Sequence, residues 1–429
     1  MENINNFSNK PKKLRKWQWR IVGLFCIIYF IYYWGRYNYA IALPYMILDL
    51  GLTKTAAGAI ASALTFGYVI GQIINGNLVD RYGSRIMMTF GGILSGIANV
   101  FIGIVSGFSY LWSSWFANGY FQACGYTSTC KLISQWFPRK KRGLPLGLSE
   151  FFQSVSSALI IPLGAFLIIK SGTWRMAFIF PGILLMIASF LFYLFVRNKP
   201  EDVGIATSWN EKKPEKKISL IQHFKEGAHI ALTDRKMLMT YISYGTNQFT
   251  RFAIYTWVPV YLVLGTGLDL WKAAWVISFF AWGGSVSSVI YGWLSDKVFH
   301  GKRWKLIMIN MFISAIGLVI IALNPNLSIY FIMPILLLLG IGIEATETIY
   351  FLIPIDLAKG REATGVGYMN AFGKLIASFH GIFLGFIIDK AGYSLAFVVV
   401  AIIAVIGGYL VLSLRGSELN RYAKLNGIK

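Results

Sequence analysis

The sequence predicts an all-α membrane protein, with twelve transmembrane helices in two pseudo-symmetric six-helix bundles. Three observations carry that expectation. Apolar runs of about 20 residues recur along all 429 residues, each long enough to cross a hydrocarbon layer of about 30 Å as a helix. Only 14% of residues are charged against 56% hydrophobic, and the mean hydropathy is +0.58. A soluble globular chain carries about 25% charged residues. Finally, the chain repeats itself: Arg36 and Pro44 recur at the same spacing as Arg251 and Pro259, and Tyr45 is answered by Tyr261. A parallel repeat of six helices suits a solute carrier with its site between halves.

In chain order, spans are expected at about 20–46, 55–79, 86–107, 110–136, 143–170 and 174–197, then 237–263, 272–295, 304–323, 328–357, 362–388 and 393–414. Helices are the expected form because an open sheet edge leaves backbone groups unsatisfied in lipid. The first span follows Lys10, Lys12, Lys13, Arg15, Lys16 and Arg20 without a small-residue cleavage site, so it reads as a retained helix. Spans two and three are divided by the turn Gly76 to Arg85, and four and five by Arg139-Lys140-Lys141-Arg142. After the sixth comes the only long hydrophilic stretch, which separates an N-terminal bundle (1–197) from a C-terminal one (237–429) by a linker at 198–236.

Charge placement gives the orientation. In the loops and at the span ends, only Lys54, Lys170, Arg175, Lys272 and Lys390 lie opposite the termini; every other Lys and Arg there shares the termini's side. Both termini and the linker are therefore expected in the cytoplasm, with the chain in the cell membrane. The formal charge of +22 is then topological, and nucleic acid is not an expected partner. Cys26, Cys124 and Cys130 lie in apolar segments without metal-ligand spacing, and the lone intramembrane His380 reads as a packing residue, so no disulfide, metal or cofactor is expected. No phosphate-binding loop, dinucleotide fingerprint or nucleophile–base spacing is present. An enzyme or ATP-driven pump is disfavoured, which leaves solute or proton gradients as the energy source.

The run Gly76-Asn77-Leu78-Val79-Asp80-Arg81-Tyr82-Gly83-Ser84-Arg85 is answered, imperfectly, by Gly292-Trp293-Leu294-Ser295-Asp296-Lys297. Both are similar to the signature of the major facilitator superfamily, which implies the major facilitator fold. The signature implies a conformational role for Gly76, Asp80, Arg81, Gly83, Arg85 and Asp296. The glycines allow close backbone approach, Asp80 accepts hydrogen bonds at a neighbouring helix end, and the arginines anchor the turn at the surface.

Tyr32-Tyr33-Trp34-Gly35-Arg36-Tyr37-Asn38 with Leu43-Pro44-Tyr45, Arg251-Phe252-Ala253-Ile254 with Trp257-Val258-Pro259-Val260-Tyr261, and Lys199-Pro200-Glu201-Asp202 carry a narrower resemblance. They resemble the organophosphate:phosphate antiporters, the glycerol-phosphate and hexose-phosphate carriers. That resemblance implies that Arg36 and Arg251 hold the substrate phosphate. Gln72 stands where the glycerol-phosphate carriers have a lysine, and Gln153 where they have a histidine; Lys374 is similar to a helix-eleven lysine of the hexose-phosphate members.

Seven ionisable residues fall at membrane depth: Arg36, Lys131, Arg251, Lys374, Glu150, Glu344 and Glu347. Each costs about 2.5–3.5 kcal/mol at the bilayer centre unless it faces a wet cavity or a partner. Substrate contacts are expected from Arg36 and Arg251, whose planar forks suit phosphate or carboxylate, with Lys374 as a third cation. Around them the expected lining is Tyr32, Tyr33, Gln72, Gln153, Asn247, Gln248 and Tyr255, the last three on one stripe of helix seven with Tyr244. Glu344 and Glu347, three apart on one face, and Glu150 are candidates for proton coupling or gating, as is Lys131 for the cytoplasmic gate. The competing reading is that these charges neutralise one another as structural ion pairs.

The leading functional expectation is a secondary transporter of a small organic anion, an organophosphate exchanged for phosphate, working by alternating access. Its partners are the anion, phosphate or a proton as coupling ion, and the lipid bilayer, with no obligate protein partner indicated. An alternative on the same architecture is proton-coupled symport of a carboxylate, sugar acid or amino acid, which Gln72 and Gln153 favour. A remote alternative is a transporter-like solute sensor, which would bind its ligand without moving it.

Overall fold

The computed structural model describes residues 2–138, 141–207, 234–299, 302–357 and 362–415. Within them the chain is helical, with no strand. The N-terminal half forms α1 (Glu2–Leu50), α2 (Lys54–Tyr82), α3 (Ser84–Ile102), α4 (Phe108–Trp136), α5 (Gly143–Ser171) and α6 (Met176–Phe195). The C-terminal half forms α7 (Arg235–Val260), α8 (Leu270–Lys297), α9 (Arg303–Leu323), α10 (Ile329–Leu357), α11 (Glu362–Ala377) and α12 (His380–Leu410). Much of the expected linker, 208–233, lies outside the described residues, as do the side chains of Glu150 and Asp296.

The last two spans are divided differently from the expectation. A break at Ser378–Phe379 splits the eleventh span, and α12 carries a reversed φ of 82° at Gly392, where the chain turns back into the twelfth. The break has a local cause. Ser378 Oγ donates to the Lys374 carbonyl at 2.8 Å, and His380 Nδ1 bonds the Ala377 carbonyl at 2.8 Å, so side chains take up carbonyls at the end of α11. That carbonyl can only accept, so Nδ1 carries the hydrogen; His380 is a buried packing residue whose Nε2 meets Thr256 at 3.0 Å. In α7, Pro259 lacks an amide hydrogen, and the helix runs into a wider turn at Tyr261–Gly265, closed by Thr266 N to the Tyr261 carbonyl at 3.0 Å.

Two compact units are present. One comprises residues 1–36, 67–156 and 175–217; the other comprises 37–66, 157–174 and 218–429. Helices α1, α2 and α5 each begin in one unit and end in the other. In the first unit α3 packs on α4 and α6. In the second, α7 packs on α11 and α12, α8 on α10, and α9 on α10 and α12. Outward faces are apolar: on α6, Phe180, Ile183, Ile187 and Phe190 follow the three-and-four spacing of a single stripe and are exposed. Such a stripe suits contact with acyl chains.

Within the second unit the start of α2 is fastened to the end of the eleventh span. Thr53 Oγ1 accepts from Ala56 N at 3.1 Å, while Asp389 accepts from Lys54 N at 3.0 Å and Thr55 N at 2.8 Å. Two side chains thus satisfy three amides that a helix start leaves orphaned. Asp389 also accepts from Thr55 Oγ1 at 2.7 Å. Burial pushes this carboxyl up, but the Thr55 and Lys54 hydrogen bonds and the Lys54 charge outweigh it and hold Asp389 below the usual carboxylate range. One turn further in, Gly58 and Gly381 meet backbone to backbone, so that a side chain on either would strike the other's carbonyl.

Candidate functional site

In the first unit α1 presents Arg36, half-buried, with Nε donating to Gln122 Oε1 at 2.9 Å. Its guanidinium lies 4.9 Å from the Tyr33 ring and 4.7 Å from the Tyr68 ring, so aromatic faces flank the cation. Gln122 is itself fixed, donating to the Tyr32 carbonyl at 3.0 Å. The Tyr32 hydroxyl is committed to the Met88 carbonyl at 2.6 Å, and the side chain is buried. Gln72 has a buried Oε1 with no hydrogen-bond partner, and Gln153 is buried on α5. Where α1 leaves this unit, Asn99 and Asn118 donate to the Gly35 carbonyl at 3.2 and 2.8 Å. Polar side chains of α3 and α4 therefore support the turn that carries Arg36.

The second unit holds a denser cluster. Arg251, 4% exposed, is clamped by two carboxylates of α10: Nε to Glu344 at 2.7 Å and a terminal nitrogen to Glu347 at 2.6 Å. Glu344 also bonds the Tyr255 hydroxyl. Tyr255 packs against Tyr37 with the rings tilted, centroids 4.5 Å apart. The remaining Glu347 oxygen accepts from Tyr244 at 2.8 Å and from Gln248 at 2.8 Å. Gln248 in turn accepts from Lys374 Nζ at 3.0 Å, and Lys374 lies 4.9 Å from the Phe252 ring. Asn247 is turned away, donating to the Ile343 carbonyl at 3.3 Å, with its Oδ1 buried and unpartnered.

Arg251 and Lys374, both buried, and the partly buried Glu344 and Glu347 thus form a quartet whose formal charges cancel. Burying charge to this extent is tolerable only with such pairing and hydrogen bonding. On Arg251, Nε and one terminal nitrogen are already taken by carboxylates, so an anion reaching those nitrogens must compete with a glutamate. The helical stripe brings Tyr244, Gln248, Arg251 and Tyr255 together as their spacing requires. Gln122 and Tyr68 beside Arg36 lie outside the expected lining, although polar residues four apart inside α4, Asn118 and Gln122, are a legible signal.

The motif residues of the first unit form a separate assembly. Lys131 pairs with Asp80 at 3.1 Å and donates to the Val79 carbonyl at 2.8 Å, a cation set at the C-terminal end of α2. Gly83, φ 86°, lies against the Asn198 side chain, which accepts from Arg85 N at 2.8 Å. Arg85 donates to the Tyr193 carbonyl at 2.7 Å and covers its ring at 4.1 Å. Arg81 lies 5.3 Å from the Tyr82 ring, and Gly76 has open space around it. Asn198 is not among the expected motif residues; its place directly before Lys199-Pro200-Glu201-Asp202 is the clue that the sequence offers.

Twelve helices among the described residues, charged side chains buried between them and a signature turn between the second and third mark a polytopic secondary transporter. Residues 25–380 match the Major Facilitator Superfamily, and the chain belongs to that family. The chain is similar to the glycerol-3-phosphate transporter of Bacillus subtilis, 26% identical over 396 residues, 88% of this chain and 87% of that protein. It is also similar to a probable hexose phosphate transport protein of Chlamydia pneumoniae, 30% identical over 309 residues, 68% of this chain and 67% of that protein. Among solved structures, a bacterial homologue of the human lysosomal transporter Spinster, inward-facing and unoccupied, superposes with a TM-score of 0.80 at 15% identity, covering 94% of this chain and 98% of that one. This last likeness concerns the fold.

Proposed function

We propose that the chain carries a small organic anion across the cell membrane by alternating access, both termini cytoplasmic, and that its cargo is an organophosphate exchanged for inorganic phosphate. Arg36 and Arg251 are the anion-binding arginines, with Lys374 the third cation. The observation that carries this reading is the pair of intramembrane guanidinium groups, each fixed by a glutamine or glutamate and bordered by tyrosines. The relatives named for glycerol phosphate and hexose phosphate support the cargo class. Purified protein in phosphate-loaded liposomes should take up labelled glycerol 3-phosphate or glucose 6-phosphate, and stop when internal phosphate is omitted.

The Arg251 clamp favours a second reading, because two carboxylates on one arginine can hand an anion its place by taking protons. On that reading the carrier is a proton symporter of an organic anion. Uptake driven by an inward proton gradient without internal phosphate, and abolished by an uncoupler, would select it over exchange.

A further inference from the structure

We propose that Glu347 is a tethered occupant of the anion site: its carboxylate takes the place that the cargo's anionic group takes, and cargo binds by displacing it. The inference rests on the reading of Arg251 as an anion-binding residue and adds what holds the site before cargo arrives.

The donors around Glu347 carry the argument. One oxygen accepts from Arg251 at 2.6 Å; the other accepts from Tyr244 at 2.8 Å and Gln248 at 2.8 Å. Lys374 stands behind Gln248, 3.0 Å from its amide oxygen. A guanidinium, a phenol and an amide aimed at two geminal oxygens, with an ammonium behind, is a cradle for any small oxyanion, phosphate as readily as carboxylate. Glu347 fills it from α10, while Arg251, Tyr244 and Gln248 project from α7 and Lys374 from α11.

Glu344 has a different place. It engages Nε of Arg251 and the Tyr255 hydroxyl, on the other edge of the guanidinium, and so acts as a positioning residue that turns the terminal nitrogen toward Glu347. The two carboxylates, three residues apart and alike in sequence, therefore differ in role: one orients the arginine, the other competes with the ligand. A competing carboxylate also accounts for how a site rich in donors is kept from holding stray anions while empty. Its release on cargo binding leaves an unpaired carboxylate in the membrane, which favours ligands of high charge density over weak ones.

Equilibrium binding of inorganic phosphate and of glycerol 3-phosphate to the purified, full-length protein tests this. Glu347→Gln keeps the shape and removes the competing charge, so affinity for both probes should rise at least tenfold. Glu344→Gln should not raise it, since the arginine loses its orienting partner. Because Glu347→Gln leaves a buried cation uncompensated, a charge-balanced comparison accompanies it: Lys374→Met/Glu347→Gln should bind more tightly than Lys374→Met alone. Unchanged or weaker binding in both comparisons, with the parent protein still binding the probes, overturns the tethered occupant and leaves the anion site standing. No binding of either probe to any of the proteins overturns both.

Discussion

Arg251 illustrates what one residue can commit to. Its charge is buried almost completely and met on two sides by carboxylates, so the side chain is both a ligand candidate and a structural keystone. Lysine retains the charge and loses the planar fork. Arg251→Lys and Arg36→Lys should each weaken phosphate binding at least tenfold, measured by titration calorimetry, with Arg36→Lys leaving the thermal midpoint near that of the parent. Glu344→Gln should instead lower stability by about 3–5 kcal/mol, read as a fall in the thermal midpoint, because removing one partner of a buried pair leaves charge uncompensated. At this scale the sequence marks which polar and charged residues the structure brings together. Spacing on α7 and α10 placed Tyr244, Gln248, Arg251, Glu344 and Glu347 on inward faces. It left open whether the arginine faced a ligand or a glutamate, because partner choice across helices depends on rotation and depth that no single-helix periodicity records.

Helix ends were harder to read than helix middles. Hydropathy located α2, yet its start is set by Asp389, more than three hundred residues away in the chain. The signal that would have helped is Gly381-Ile382-Phe383-Leu384-Gly385, small residues one turn apart on the helix that approaches Gly58. Asp389→Asn tests the cap. The folded-state value of this carboxyl is depressed, so its stabilisation is complete above about pH 4, the ordinary aspartate range, and fades as pH falls through the lower folded value. Thermal midpoints of parent and variant should therefore differ by a constant amount near neutrality and converge on acidification. A difference that grew on acidification would show that the carboxylate does not stabilise this helix start. In the same way, hydropathy gave an eleventh span ending at 388, whereas the carbonyl contacts of Ser378 and His380 divide it one turn past Lys374.

For the whole molecule, the number of spans and the repeat followed from composition and internal similarity, which are properties of the entire chain. Sidedness follows from the same distribution of Lys and Arg and is open to a direct check: Thr207→Cys should resist, and Asn326→Cys should accept, a membrane-impermeant thiol reagent applied to intact cells. Reversal of that pattern would invert the topology. What the repeat does not convey is where packing divides the chain, because pseudo-symmetry describes ancestry of the segments and not which of them share a core.

The three helices that change units have a consequence for how the chain can be taken apart. Residues 37–66 and 157–174 are covalently part of the N-terminal half, yet belong to the same compact unit as everything from 218 onward. A gene cut at residue 217 should therefore yield two pieces that are poor products alone, the first displaying bare half-helices and the second an unfilled seat for them. Expressed together, they should find each other and co-purify, and Gly58→Val or Gly381→Val, which obstructs the backbone contact in that seat, should reduce the recovered pair. The molecule would then behave as a self-complementing split protein, with its reassembly surface already laid down along α1, α2 and α5.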